Sequence, residues 1–274
     1  NTIIGGVGAT INTDVLLAGK LQIDINTIEY FAVVDNDVYC NININYVIPN
    51  SSFKDNTEIT SFIDTEGKVF RLDTYCFQSC SNLENAYFPE VTTMQGVNFY
   101  YCISLESVYL PKLESFGWSA FTGCSLESLD LPMVETITGC NKMVSLKTLN
   151  MPNAKTCESN TFNSNTSIEF IELPSLELSR TNLVFNTNSS LKELSLPNTK
   201  NFRLDTIYLS LNIEVLNLPS LEFIVDSAPP TSTYGYALNM TINIPTALQT
   251  TSDPVIIGWV NFWTSDLNAT FNYV

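Results

Sequence analysis

Prolines 89, 111, 132, 152, 174, 197 and 219 recur at intervals of 22, 21, 20, 22, 23 and 22 residues. Each closes a phrase of the form apolar-x-x-apolar-x-apolar-Pro. In order these are Leu83/Ala86/Phe88, Leu105/Val108/Leu110, Leu126/Leu129/Leu131, Leu146/Leu149/Met151, Ile168/Ile171/Leu173, Leu191/Leu194/Leu196 and Ile213/Leu216/Leu218. A fixed period of this length predicts a solenoid, because one coil cannot bury its apolar face alone and stacked coils make a continuous core. The end of each phrase alternates in–out–in, the period of a short strand. The proline cannot donate a ladder hydrogen bond and ends that strand. "ITSFIDT" (59–65) reads as a degenerate copy before the series and "MTINIP" (240–245) as one after it.

A second apolar set recurs between the strands: Val91, Met94 and Phe99, then Leu113, Phe116 and Phe121, later Ala154, Cys157 and Phe162. These residues are expected to line the opposite wall of each coil.

The phrases "F-x-x-C-x-x-L-E-x-V-x-L-P" (99–111) and "F-G-W-S-A-F-x-x-C" (116–124) resemble the BspA-like leucine-rich repeats, and the resemblance runs over about residues 53–245. It implies a right-handed leucine-rich-repeat solenoid with a parallel sheet on one face. It also implies surface recognition, since such repeats occur in bacterial and protist surface adhesins and in proteins encoded by phages of Bacteroidota. One position departs from the best-known leucine-rich pattern. The residue three after the last strand apolar position, often Asn or Cys there, is here Val91, Leu113, Val134, Ala154, Leu176, Thr199 or Leu221.

Seven cysteines, at 40, 76, 80, 102, 124, 140 and 157, invite a reading as ligands or disulfides. An odd count argues against a complete disulfide framework. Cys80 and Cys102 stand three residues before the strand leucine, and Cys124 two before. Later coils fill that slot with Met143, Asn165, Asn188 and Ser210. Side chains so different are not a ligand set. The slot calls for a slim inward residue at a turn, where Asn can bond nearby backbone and a thiol acts as a small hydrophobe. Three residues earlier stand Phe77, Phe99, Phe121, Cys140, Phe162, Phe185 and Ile207. The expectation is buried free thiols, with no metal and no cofactor.

Net charge is −16, with only 12 Lys and Arg, so phosphate backbones and anionic membranes are repelled and no nucleic-acid partner is expected. Charged residues make up 15%, which leaves Asn, Ser and Thr to build the polar surface. No apolar run reaches about 18 residues, so no membrane span is expected. The first residues lack a basic segment before an apolar core and do not read as a signal peptide. The chain has no His, which removes Ser-His-Asp and Cys-His sites. Glu127/Asp130 and Glu169/Glu172 could suggest paired carboxylates, but Glu127 and Glu169 repeat a solvent-side position also held by Glu84, Glu106 and Glu214. "GGVG" (5–8) opens no helix pattern and reads as an arm or turn rather than a phosphate loop. No enzyme is expected.

Three regions follow. Residues 1–52 lack the repeat but contain alternating stretches, "KLQIDI" (20–25) and "CNININYVIP" (40–49). The second predicts a strand with Cys40, Ile42, Ile44, Tyr46 and Ile48 on one face. This β module is expected to cap, mount or oligomerise the solenoid of residues 53–245. Residues 246–274 carry Trp259, Phe262, Trp263, Phe271 and Tyr273 and read as an aromatic C-terminal cap. Outward strand positions form a candidate ligand-binding column: Tyr87, Tyr109, Asp130, Asn150, Glu172, Ser195 and Asn217. A looser column runs Asn85, Ser107, Ser128, Thr148, Phe170, Glu193 and Val215. The functional expectation is a non-enzymatic surface recognition protein, first a homo-oligomeric phage virion fibre or spike that binds a host surface glycan or protein. Other virion proteins would then hold the N-terminal module. A secreted or surface-anchored bacterial adhesin and a virion cement protein are the alternatives.

Overall fold

A computed structural model describes residues 2–4, 28–34, 37–42, 45–177, 184–225 and 235–274. The expected strand at 20–25, the arm at 5–8 and the side chain of Cys40 lie outside the described residues. The chain divides into two compact units, residues 1–134 with 138–143, and residues 135–137 with 144–274. Both are mainly β and both stack parallel strands about 22 residues apart.

In the first unit one sheet runs Thr2–Ile4, Ile28–Val34, Asp37–Ile42, Ser61–Asp64, Asn85–Tyr87, Ser107–Tyr109. The first three strands pair antiparallel. From Asp37 onward every pairing is parallel, in the register Asp37↔Ser61↔Asn85↔Ser107. A second sheet pairs Tyr46–Ile48, Val69–Leu72, Thr93–Met94 and Ser115–Phe116, again parallel. Each coil therefore gives one strand to each wall. "ITSFIDT" takes its place as a coil, through Ser61–Asp64.

The predicted single strand over 40–48 is corrected here. Asp37–Ile42 and Tyr46–Ile48 are separate strands that join different sheets. Alternation continues across the break because both strands face the same core, so the period could not reveal the corner between them.

In the second unit a five-stranded parallel sheet runs Phe170–Glu172, Glu193–Ser195, Val215–Asn217, Thr241–Ile244, Thr270–Tyr273. Opposite-wall pairs join Thr136–Ile137 to Thr156–Cys157 and Asn201–Phe202 to Phe223–Ile224. The helix Pro254–Asn261 starts at Asp253, whose carboxylate accepts from the Val255 N–H at 2.8 Å. An N-cap carboxylate followed by Pro at the first helical position is a strong start signal. Trp259, Phe262 and Trp263 are buried against one another.

The core is a ladder. Phe53, Phe77, Phe99 and Phe121 stack ring on ring at 5.2, 5.3 and 5.8 Å, all buried. Phe162 and Phe185 repeat the contact at 5.5 Å in the second unit. The proline-ended phrases supply the other side: Leu83, Leu105, Leu126, Leu191 and Leu216 are fully buried. Offset stacking of this kind adds to the area that each ring removes from water.

Tight corners carry a cost. Ser79, Tyr101, Gly123, Lys142 and Ser164 occupy successive left-handed turn positions, with φ between 56° and 75°. Only Gly holds that conformation without a Cβ clash. Ion pairs step from coil to coil on the surface, as at Lys112–Glu90 (2.6 Å) and Lys192–Glu169 (2.7 Å). Being exposed, each adds little.

Asp64 is an exception among the acids because it is buried. It accepts N–H bonds from Lys68 (3.1 Å) and Val69 (2.9 Å), closing the turn between the two walls. Burial raises its pKa above the usual carboxyl value despite those donors. A raised folded-state value means that folding favours the proton, so this contribution is full at low pH and is lost as pH rises through Asp64's pKa.

Three outcomes are expected. Phe99→Ala lowers unfolding free energy by about 3–5 kcal/mol in urea titration. Lys142→Gly raises it by about 1 kcal/mol by relieving the left-handed strain. The stability of wild type relative to Asp64→Asn falls as pH rises from about 4. A pH-independent difference would mean that Asp64 titrates as an ordinary carboxyl.

Candidate functional site

The cysteine slot is resolved by its hydrogen bonds. The Cys80 thiol donates to the Phe53 carbonyl (2.9 Å), Cys102 to the Phe77 carbonyl (2.9 Å) and Cys124 to the Phe99 carbonyl (3.0 Å). In each case the acceptor is the ladder phenylalanine of the preceding coil. Ser210 makes the same bond to the Phe185 carbonyl (2.7 Å). Asn188 bonds that carbonyl from within its own coil (2.8 Å), and its Oδ1 accepts the Asn165 N–H (2.8 Å). The slot therefore needs a slim donor that satisfies a buried carbonyl, because an unpaired one would be costly.

A second donor slot stands at the other corner. Ser52 donates to Pro49 O (2.7 Å), Cys76 to Asp73 O (3.0 Å), Thr138 to Phe116 O (2.8 Å) and Thr161 to Glu158 O (2.6 Å). Burial pushes the thiols of Cys76, Cys102, Cys124 and Cys140 well above the ordinary thiol value. They stay protonated and poorly nucleophilic. The six described cysteines are free and buried. Among the described residues no group of Cys, Asp and Glu is arranged to hold a metal ion. No described helix is long and apolar enough to cross a membrane.

The outward strand column differs between the two units. In the first, Ile63, Tyr87 and Tyr109 stand in register. The two tyrosine rings stack at 4.7 Å with 7° between their planes, and they remain 40% and 46% exposed. Their inner faces cover each other, so they offer rims and outer faces. Beside them runs the polar line Asp37, Ser61, Asn85, Ser107, and a shallow depression of about 440 Å³ lies over both lines. Asp130 is exposed in this unit.

In the second unit Asn150 and Glu172 are exposed. Glu172, Ser195 and Asn217 stand in register, and the line continues through Asn243 and Asn272. Ser195 is only 7% exposed and accepts from the Asn217 side chain at 3.0 Å. Its hydroxyl serves the sheet, so it offers little to a ligand, in contrast to the expectation from position alone. The looser column puts Phe170 at the surface, 59% exposed, over a depression of about 320 Å³ that it shares with Glu172 and Glu193. Ile63 and Asn243 were absent from the expected column. Asn243 obeys the same rule, two residues before a proline, while Ile63 has no proline to mark it.

Parallel coils, a donor-capped aromatic ladder and an unoccupied outward strand face define a leucine-rich-repeat protein built to present a surface. The chain belongs to the BspA-type leucine-rich-repeat family: the model described as "BspA type Leucine rich repeat region" matches six copies over residues 24–141 and 114–228. The match begins before residue 53, in keeping with parallel stacking from Asp37. No curated protein matches the chain. Among solved structures, a leucine-rich repeat protein from Bacteroides ovatus shares the fold at 23% identity and TM-score 0.51, over 78% of this chain and 51% of its own. The present chain thus spans about half its length. A leucine rich cell surface protein from Faecalibacterium prausnitzii aligns at 15% identity and TM-score 0.35, over 84% of this chain and 95% of its own.

If the slot is a hydrogen-bond donor and not a hydrophobe, Cys102→Ser will keep most of the stability. Cys102→Ala will lose about 1–3 kcal/mol, as expected for an orphaned buried carbonyl. Equal losses in urea titration would assign the slot to packing alone.

Proposed function

We propose that this protein is a non-enzymatic recognition protein acting at an outer surface, and that it binds its target through the strand face centred on Tyr87 and Tyr109. The observation that carries the reading is the exposed tyrosine stack on a parallel sheet, beside a polar line that the core does not need. Tyrosine offers contact area at low entropic cost, and a sheet in fixed register preorganises it. The face carries Asp37 and no basic residue, so a neutral or cationic epitope suits it better than a phosphorylated or acidic one. Membership of a leucine-rich-repeat family, whose members are typically binding proteins, supports the same reading.

In its narrower form the proposal is a phage fibre or spike component on the virion surface, binding a host glycan or protein. The strands at the N-terminal edge would mount it on other virion proteins or on further copies, and residues 246–274 would cap the stack. A bacterial surface adhesin is compatible with the same family and the same face. Mass spectrometry of purified virions and of bacterial envelopes separates the two. Recovery in envelopes and absence from virions would end the fibre reading and leave the adhesin. A cement role would cover the strand face in the assembled particle, which surface labelling of tyrosines would show.

For the face itself, Tyr87→Ala and Tyr109→Ala are each expected to weaken binding to target cells about tenfold, with unfolding midpoints little changed. Undiminished binding in the double variant would remove this face from consideration.

A further inference from the structure

The opposite wall of the first unit carries an aromatic group that the core does not use. Trp118 is 60% exposed, whereas Trp259 and Trp263 are buried. A Cβ placed on Gly96 would lie 3.1, 3.3 and 3.5 Å from Nε1, Cδ1 and Cε2 of the Trp118 indole. Three atoms of one five-membered ring at nearly equal distances put that point over the ring's face, not its edge. The indole thus lies flat on a glycine. A second glycine makes this possible: a Cβ on Gly117 would strike the Gly96 backbone N at 2.2 Å, so the coils approach closely just under the ring. One face of the indole is seated and the other is open.

The surroundings are polar and mostly uncharged. On this wall the outward line Arg71, Thr93, Ser115 runs in register, and Arg71 is already engaged by Asp73 at 2.9 Å. Gln95 is exposed next to Gly96, with the Thr74 hydroxyl 3.5 Å from its amide oxygen. A protein partner's hot spot would set its tryptophan among apolar neighbours that exclude water. Here a single flat π-face stands among amides and hydroxyls. That chemistry fits a sugar ring, whose C–H face meets the electron-rich indole face while its hydroxyls bond the rim.

We propose that Trp118, seated on Gly96 and flanked by Gln95, Thr93 and Ser115, is a second binding site that takes a neutral carbohydrate on the wall opposite the tyrosine face. It stands independently of the Tyr87/Tyr109 reading, since it uses none of those residues.

The chain's tryptophans make the test direct, because the other two are buried and Trp118 dominates exposed indole emission. The full chain is titrated with neutral oligosaccharides (cellohexaose, chitohexaose and a mannohexaose), with oligogalacturonate as the anionic control. Emission and acrylamide quenching are read. The expected result is saturable protection from acrylamide by at least one neutral oligomer. Protection should vanish in Trp118→Ala and weaken on the order of tenfold in Gly96→Val, which lifts the indole off its seat. Tyr87→Ala/Tyr109→Ala should leave it intact. Two results overturn the proposal: no protection by any neutral oligomer, or protection that persists in Trp118→Ala. A fluorescence-independent check is calorimetry of the same pairs. Trp118→Ala, altered only at an exposed side chain, is expected to unfold at the wild-type midpoint.

Discussion

Each ladder phenylalanine leaves its carbonyl buried, and the next coil must send a side chain to meet it. Cys80, Cys102 and Cys124 do so with thiols, and Ser210 does so with a hydroxyl. Much else depends on that bond. It sets the distance at which coils stack, which in turn sets the 5.2–5.8 Å spacing of the Phe53–Phe77–Phe99–Phe121 rings. It also explains why the slot tolerates thiol, hydroxyl and amide but needs little bulk. Hydrophobic burial supplies the driving force along the stack, while the donors decide which registers are allowed.

Because the coil closes its own polar groups at its corners, its outward strand positions are left without a structural task. Tyr87, Tyr109 and Phe170 hold exposed aromatic rings that no core contact requires. Ser195 marks the limit of this freedom, since its hydroxyl is taken up by Asn217. An outward position is available for recognition only where its neighbour in the adjacent coil does not claim it. This is why the second unit, with its polar line of Ser195, Asn217 and Asn243, is less suited to gripping a ligand than the tyrosine stack.

The period, the inward columns and the second wall were all legible from the proline-ended phrases, because burial repeats whenever geometry repeats. The corner between Ile42 and Tyr46 was not, since alternation looks the same on either side of a turn that keeps its apolar face inward. Nor was the thiol's bond to the preceding coil: substitution of Cys by Asn and Ser showed a slim slot but not its acceptor, which lies 25 or more residues away. The candidate column was legible as positions and not as chemistry. Position alone could not tell the stacked pair Tyr87/Tyr109 from the claimed Ser195. Trp118 was hidden for a similar reason, because its seat on Gly96 depends on a glycine 22 residues earlier in a different coil.

The two walls are built under different constraints, and this bears on what each can bind. On the Tyr87 wall, strands of three or four residues keep side chains in long register, so a ligand meets repeated lines of groups. On the Trp118 wall the strands are mostly two residues long, and the corner turns follow at once. Lines there are short, and recognition must come from a single placed group. A stacked pair in long register suits an extended epitope that contacts several coils. A lone indole held by two glycines suits one ring at a time. The same stacking that forbids variation in the core thus permits two kinds of surface on one coil, and the glycines at 96 and 117 mark where the second kind was given room.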